Sequence, residues 1–326
     1  MRRRGPGLHL HLHPALLAWA VLVLGLVEQA PAVTVLQKKP DFLKTCFMDA
    51  PGFSQCSKES VQGLFDKLSV DFVSGSCREE LTHTYVPGMP EIGIVPMDPL
   101  NVTEVRIFQG DGPVNVNAKL NNVKIVGFSG AKIESNTVDP KTYSFVTKLR
   151  IPKLRIDGEY TLRGRVLLLP LQGHGTCWFE PRNLDVTSSQ DLGVVYRDGQ
   201  RFFDMKDVRV DFKLGGLKMR MNNLFDGLRS LEETTNTYIN SNWRPVAESL
   251  HPILTKTIED ILYLVLKQLF DSVPADFFIG DIKDHADEIM QVMVARNIVA
   301  RHSGNLTGSV SAVLPGIPST TSRPSV

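Results

Sequence analysis

NWRPVAESLHPILTKTIEDILYLVLKQLFDSVPADFF, residues 242–278, decides the fold. Pro245 suits the first turn of a helix, where its missing N–H is no loss. Apolar side chains then recur at Val246, Leu250, Ile253, Leu254, Ile258, Ile261, Leu262, Val265 and Leu269. That spacing predicts one long helix with a continuous apolar stripe. Glu248, Lys256, Glu259, Asp260, Lys267 and Asp271 occupy the opposite face. Pro274 is the expected stop. From Pro245 to Asp271 the rise is roughly 40 Å, so the stripe needs an equally long partner surface. Pro252 lies inside the pattern and is expected to bend the helix.

The partner is legible upstream, where the period changes from helix to strand. Val102–Phe108 alternates. In VNVNAKLNNV, Val114, Val116, Ala118 and Leu120 share one face against Asn115, Asn117, Lys119 and Asn121. Alternation returns through Tyr143, Phe145, Thr147, Leu149 and Ile151. Val208, Val210, Phe212 and Leu214 oppose Arg209, Asp211 and Lys213. Gly215-Gly216 reads as a hairpin turn, after which Leu217, Met219 and Met221 continue the pattern; Asp198-Gly199 reads as a second turn. These are expected to be half-wet antiparallel strands forming a β-meander. Strands gathered between helices argue α+β rather than βαβ.

Ser57–Leu68 reads as a short N-terminal helix, with Val61, Leu64, Phe65 and Leu68 on one face and Ser57-x-x-Ser60 as a weak opening. Ser69–Pro90 reads as a loop. Ala286–Val294 reads as a further short helix, and the Ser-, Thr-, Gly- and Pro-rich chain after Arg301 as disordered.

The chain holds 36 basic and 35 acidic residues. That balance gives no reason to expect nucleic acid as a partner. Arg2, Arg3 and Arg4 precede an apolar run, Ala15–Val27, and Ala30-Pro31-Ala32. This is the pattern of a secretory signal peptide over residues 1–32, and the run is short for a membrane anchor. No later stretch is long and apolar enough to cross a bilayer, so the mature chain is expected to be soluble and extracellular. Four cysteines in a secreted chain suggest two disulfides, with three connectivities open. Proximity favours Cys46–Cys56, which leaves Cys77–Cys177. N-x-T sequons stand at Asn101 and Asn305.

Further motifs carry a resemblance. PEIGIVPMDPL (residues 90–100), NVKIVGFSG (122–130), IPKLRIDGEYTLRG (151–164), LLLPLQGHG (167–175), NNLFDG (222–227), NSNW (240–243) and SVPADFF (272–278) follow in order, behind the Cys46 and Cys56 pair. Each piece is weak, but the order over roughly Phe42 to Gly280 resembles the takeout and juvenile-hormone-binding protein family of arthropods. The resemblance implies a long helix wrapped by a highly curved antiparallel sheet, a super-roll that is one half-module of the tubular lipid-binding superfamily. It divides the chain into a leader (1–32), one such domain (33–280) and a C-terminal extension (281–326), largely disordered. Three features depart from the family: the long Cys77-bearing connection after Ser69, Cys177, and the extension.

The family reading implies an elongated apolar tunnel that holds a terpenoid, such as juvenile hormone, or a fatty-acid-like lipid. On this reading the helix stripe and the apolar strand faces line it: Val114, Val116, Leu120, Phe145, Leu149, Leu217, Met219 and Met221 from the sheet, and Val246, Leu250, Leu254, Ile258 and Ile261 from the helix. No cofactor and no metal are implied. Catalysis finds little support, because G-x-S-x-G, H-E-x-x-H, P-loop and G-x-G-x-x-G patterns are all missing. Gly173-His174-Gly175 reads as a turn. His251 and the pairs Glu232-Glu233 and Glu259-Asp260 read as solvated helix faces. The competing reading is an extracellular signalling or interaction protein that uses the same fold with a protein partner and no transported ligand.

Overall fold

The computed structural model describes residues 34–69, 88–109, 114–282 and 308–313. The leader, Cys77 with most of the 69–90 connection, the 286–294 helix and Asn305 lie outside the described residues.

Helix α1 spans Phe53–Leu68 and opens four residues earlier than its apolar pattern predicts. The cause is the chain before it. Gly52 takes a left-handed conformation, φ 90°, that turns the backbone into the helix. The Cys46–Cys56 disulfide, with its Cα atoms 5.8 Å apart, then ties the first turn to the preceding segment. The serines expected to open the helix are instead buried inside it. Ser57 Oγ accepts from Asn136 Nδ2 at 2.6 Å, and Ser60 Oγ donates to the Lys44 carbonyl at 2.8 Å.

Among the described residues, eight strands form one antiparallel sheet: β1 (Leu100–Gln109), β2 (Val114–Val126), β3 (Lys132–Val138), β4 (Phe145–Lys153), β5 (Arg155–Val166), β6 (Leu169–Arg197), β7 (Gln200–Met221) and β8 (Gly308–Val313). The order is not a meander. β6 has 29 residues, enough to pair with β5 along Leu169–Phe179 and then with β4 along Arg182–Gln190. β7 follows its other edge, joined by a two-residue turn at Asp198-Gly199 where both φ values are positive. Tyr143, expected in the β4 alternation, stands just before that strand with φ 53° and is fully buried.

Gly215-Gly216 is not a turn, because β7 runs through it. The inward-facing side chains change parity there, from Leu214 to Leu217, and this is the break that mimics a hairpin. β6 changes parity at the same level, from Pro181 to Leu184, across Asn183 at φ 48°. Register is kept on both sides, with Arg182 opposite Gly216 and Leu184 opposite Leu214. A Cβ on Gly215 would meet the Asn183 Cβ at 2.8 Å, so the crossing requires glycine.

Two helices close the sheet. Helix α2 spans Arg229–Ser241 and α3 spans Trp243–Ser272. α3 carries Pro245 in its first turn, continues through an exposed Pro252 and stops just before Pro274. Straight, β6 would span about 95 Å against about 45 Å for α3. The strand therefore curls, and the sheet wraps the helix.

Part of the C-terminal extension is also ordered. Gly308–Val313 adds to the free edge of β1, with Glu104 opposite Val313 and Gln109 opposite Gly308. The disorder expected after Arg301 does not extend to this segment. A bare β1 edge can recruit such a strand through backbone bonds alone, without a periodic side-chain pattern.

Candidate ligand cavity

Between α1, α3 and the concave face of the sheet lies a cavity of about 550 Å³, within the usual range for small-molecule sites. From the sheet, Val116, Leu120, Phe145, Leu149, Leu217, Met219 and Met221 face it. From α3, Val246, Leu250, Leu254, Ile258 and Ile261 do so. The structure thus brings together every tunnel candidate read from the sequence except Val114. That residue opens β2, and its side chain is not described. Sequence reading missed the contribution of α1, where Val61, Leu64, Phe65 and Leu68 reach the same space.

One end is closed by aromatic rings. Phe145, Phe203, Phe270 and Phe278 pack edge to face or tilted, with centroids 5.5 to 6.3 Å apart, and Tyr143 tilts against Phe203. Among the described residues the cavity wall carries no Asp, Glu, Lys, Arg or His. Its polar side chains are few. Tyr160 donates to the Asn222 carbonyl at 2.8 Å, and burial raises its pKa. Thr257 is turned back onto the Ile253 carbonyl. Asn136, Thr147, Ser188 and Gln190 form a separate group on the sheet and were missed as site residues. Their signal was a polar residue on an apolar face, as at Thr147 between Phe145 and Leu149.

Cys177 also faces the cavity, as a buried free thiol. Cys77, its expected partner, lies outside the described residues. Cys177 points inward from β6, where elimination among four cysteines carries no information about facing. Burial, with a smaller push from Asp157, raises its pKa to about 12.

The residues weighed as an enzyme site do not converge. Gly173-His174-Gly175 is no turn but part of β6, and His174 is exposed, 3.6 Å from Asp226. The flanking glycines leave room for the chain crossing over them. A Cβ on Gly173 would meet the Asn223 carbonyl oxygen at 2.7 Å, and one on Gly175 the Asn222 oxygen at 2.4 Å. The hairpin turn lies earlier, at Leu167-Leu168. His251 is only partly solvated, its side chain 38% exposed. Its ring stacks on Phe212 at 4.6 Å. Glu259 accepts the Val210 amide at 3.0 Å, and Glu232 accepts that of Asn223 at 2.7 Å. Both carboxylates serve backbone groups that a solvated helix face would leave open. Asp260 pairs with Lys256 at 2.9 Å, and Glu233 with Arg220 at 2.6 Å. Among the described residues, no three metal-ligating side chains come together. Asn101, the sequon that is described, is exposed on β1.

The family model for haemolymph juvenile hormone binding proteins (JHBP) matches residues 77–280, more than half of the chain. The chain belongs to this family. Within it, the chain is similar to the circadian clock-controlled protein daywake of Drosophila yakuba, 22% identical over 199 residues, which is 59% of this chain and 76% of that protein. Daywake of Drosophila melanogaster is 21% identical over the same shares. Among solved structures it is similar to Takeout 1 of Epiphyas postvittana, with a TM-score of 0.60 and 20% identity over 73% of this chain and 100% of that one. The likeness to Takeout 1 shows the shared fold, a long helix within a curved antiparallel sheet. The JHBP match ends at Gly280, so β8 lies beyond it. No described helix is long and apolar enough to cross a membrane.

Proposed function

We propose that this protein is a secreted, non-catalytic carrier of a small hydrophobic ligand, a terpenoid such as juvenile hormone or a fatty-acid-like lipid, held in the cavity between α3 and the sheet. The observation that carries the reading is the uncharged wall. It could hold an apolar chain without burying an unpaired charge. Burying roughly fifteen methylenes is worth on the order of 12 kcal/mol gross. Association and ordering remove several of these, and micromolar affinity is still within reach without a charged anchor. The JHBP membership supports the ligand class. The leader-like residues 1–32 and the Cys46–Cys56 disulfide support secretion.

Native mass spectrometry of the secreted full chain, followed by organic extraction, tests this. A co-purifying lipid of defined mass is the expected result. An empty protein that also ignores a panel of terpenoids and fatty acids overturns it and leaves the interaction-protein reading.

A further inference from the structure

Apart from Tyr160, Thr257 and Cys177, the polar side chains on the described cavity wall gather at one locus, and its chemistry is specific. Asn136, Thr147 and Ser188 lie side by side across β3, β4 and β6, with Thr147 opposite both Asn136 and Ser188. Gln190 sits two residues further along β6, opposite Phe145 of the aromatic end. All four are more than nine-tenths buried, and all four face the cavity.

Their hydrogen bonds run in one direction. Asn136 Nδ2 donates to Ser57 Oγ at 2.6 Å, and Thr147 Oγ1 donates to Asn136 Oδ1 at 2.7 Å. Gln190 Nε2 donates to Ser188 Oγ. The first pair of bonds uses the groups nearest α1 and locks them. The second leaves three groups over, the second Nε2 proton of Gln190 being one of them. Ser188 accepts, so its own hydroxyl proton has no acceptor among the described residues. Gln190 Oε1 has no donor among them. A Ser188 donor and a Gln190 acceptor, adjacent and buried, therefore border a largely apolar space. Leaving either unmet is unfavourable, so each favours a ligand that meets it.

A ligand hydroxyl matches both at once, since it accepts from Ser188 and donates to Gln190. An ether or ester oxygen satisfies only the donor. A carboxylate brings a charge, and no cation lines the wall to receive it. We infer that Ser188 and Gln190, held in place by Thr147 and Asn136, bind the hydroxyl of a neutral lipid alcohol whose apolar body fills the rest of the cavity. This rests on the carrier reading and narrows its ligand class, away from free fatty acids.

The test uses the full secreted chain and displacement of the neutral fluorophore N-phenyl-1-naphthylamine. The competitors are hexadecan-1-ol, 1-methoxyhexadecane and hexadecanoate. The wild-type protein is expected to prefer the alcohol to the methyl ether by about tenfold, the worth of one buried hydrogen bond. Gln190→Leu is expected to erase that preference, because only the alcohol donates to Gln190, whereas Ser188→Ala is expected to weaken alcohol and ether alike. Equal wild-type affinity for alcohol and ether overturns the proposal while the carrier reading stands, and that comparison needs no variant to fold. Hexadecanoate binding tighter than the alcohol at pH 8 also overturns it. So does a preference that survives Gln190→Leu at an unchanged melting temperature. If no competitor binds the wild type, this proposal and the carrier reading fall together.

Discussion

Asn236 stands beside Met221 in place of a missing strand. Its Oδ1 accepts from the Met221 amide and its Nδ2 donates to the Met221 carbonyl, both at 2.9 Å. One turn along α2, Asn240 does the same for Met219, at 2.9 and 2.8 Å. β7 is a sheet edge, and an open edge exposes unpaired backbone groups to chance pairing with other chains. Two asparagines at i and i+4 share a helix face, so α2 can satisfy alternate residues of β7 with side-chain amides. Further along the edge, Glu259 of α3 accepts from the Val210 amide.

Replacing Asn236 with Leu keeps most of the volume and strips Met221 of both partners. Each unsatisfied buried backbone group costs about 1–3 kcal/mol. A loss of about 2–6 kcal/mol is therefore expected in urea unfolding, with the m-value unchanged. Asn240→Leu is expected to lose less, because Asn240 is less buried than Asn236. An unaltered midpoint in Asn236→Leu would show that water replaces the amide at no cost.

Gly175 makes a sharper prediction. Its place under the Asn222 carbonyl leaves 2.4 Å where a Cβ would stand, and that neighbour is backbone, not a movable side-chain tip. Gly175→Val is expected to lose about 1–3 kcal/mol by forcing the crossing apart. Gly193→Ala in the same strand is the control, since its Cβ would meet only the end of Lys206, at 3.3 Å. That change is expected to stay within about 0.5 kcal/mol. Thermal melts of the two variants, compared with wild type, decide the matter. Equal shifts would mean that the crossing relaxes freely.

How far the fold was legible depends on how local each signal is. The stripe from Val246 to Leu269 is a long periodic pattern, and α3 extends it by three residues at each end. The strand faces were legible for the same reason, and so were their cavity-lining residues. Strand order was not, because nothing local in Arg182–Gln190 says that β4 pairs there after β5 has left. Gly215-Gly216 and Gly173-His174-Gly175 misled together. Two glycines in a strand signal either a turn or a close approach of another backbone, and only tertiary structure separates these. β8 escaped because an added edge strand is held by backbone bonds. The polar locus was present in the sequence as Thr147, Ser188 and Gln190, but its meaning lies in three strands meeting.

Cys177 separates the sequence expectation from the structure chemically. With the thiol buried and its pKa raised to about 12, almost no thiolate exists at pH 8, and thiolate is the reactive form. Iodoacetamide is expected to spare Cys177 in the native protein. After denaturation without reductant, the peptide carrying it is expected to be alkylated in full, as read by mass spectrometry. A Cys77–Cys177 bridge would keep that peptide protected until reductant is added. The linkage has a definite sign. The unfolded thiol ionises at its ordinary value near 9, whereas the folded one waits until about 12. The contribution of this group is therefore intact below about pH 9 and lost as pH rises between the two. Cys177→Ser, whose hydroxyl does not titrate there, is expected to show a flatter alkaline limb.

Leu254 and Ile258 test the placement of the ligand on α3. They lie one turn apart on the cavity side, and Ile258 is the more open of the two, at 38% exposure. A carboxylate introduced at either position has no cation on the wall to pair with, and an unpaired charge is costly wherever water is excluded. Leu254→Asp, the more buried change, is expected to lower both the melting temperature and the affinity for the neutral fluorophore. Ile258→Asp can keep its charge hydrated while the cavity is empty, so it is expected to fold nearly as well as wild type. Filling the cavity then strips that water, and the affinity is expected to fall by at least about tenfold. The same argument fixes a pH dependence. A carboxyl facing an apolar ligand has a raised pKa, so in Ile258→Asp the neutral acid forms as pH falls and affinity should recover in part. Titration of the variant against wild type reads this directly. Unchanged affinity and unchanged melting in both variants would place the ligand elsewhere than on this face of α3.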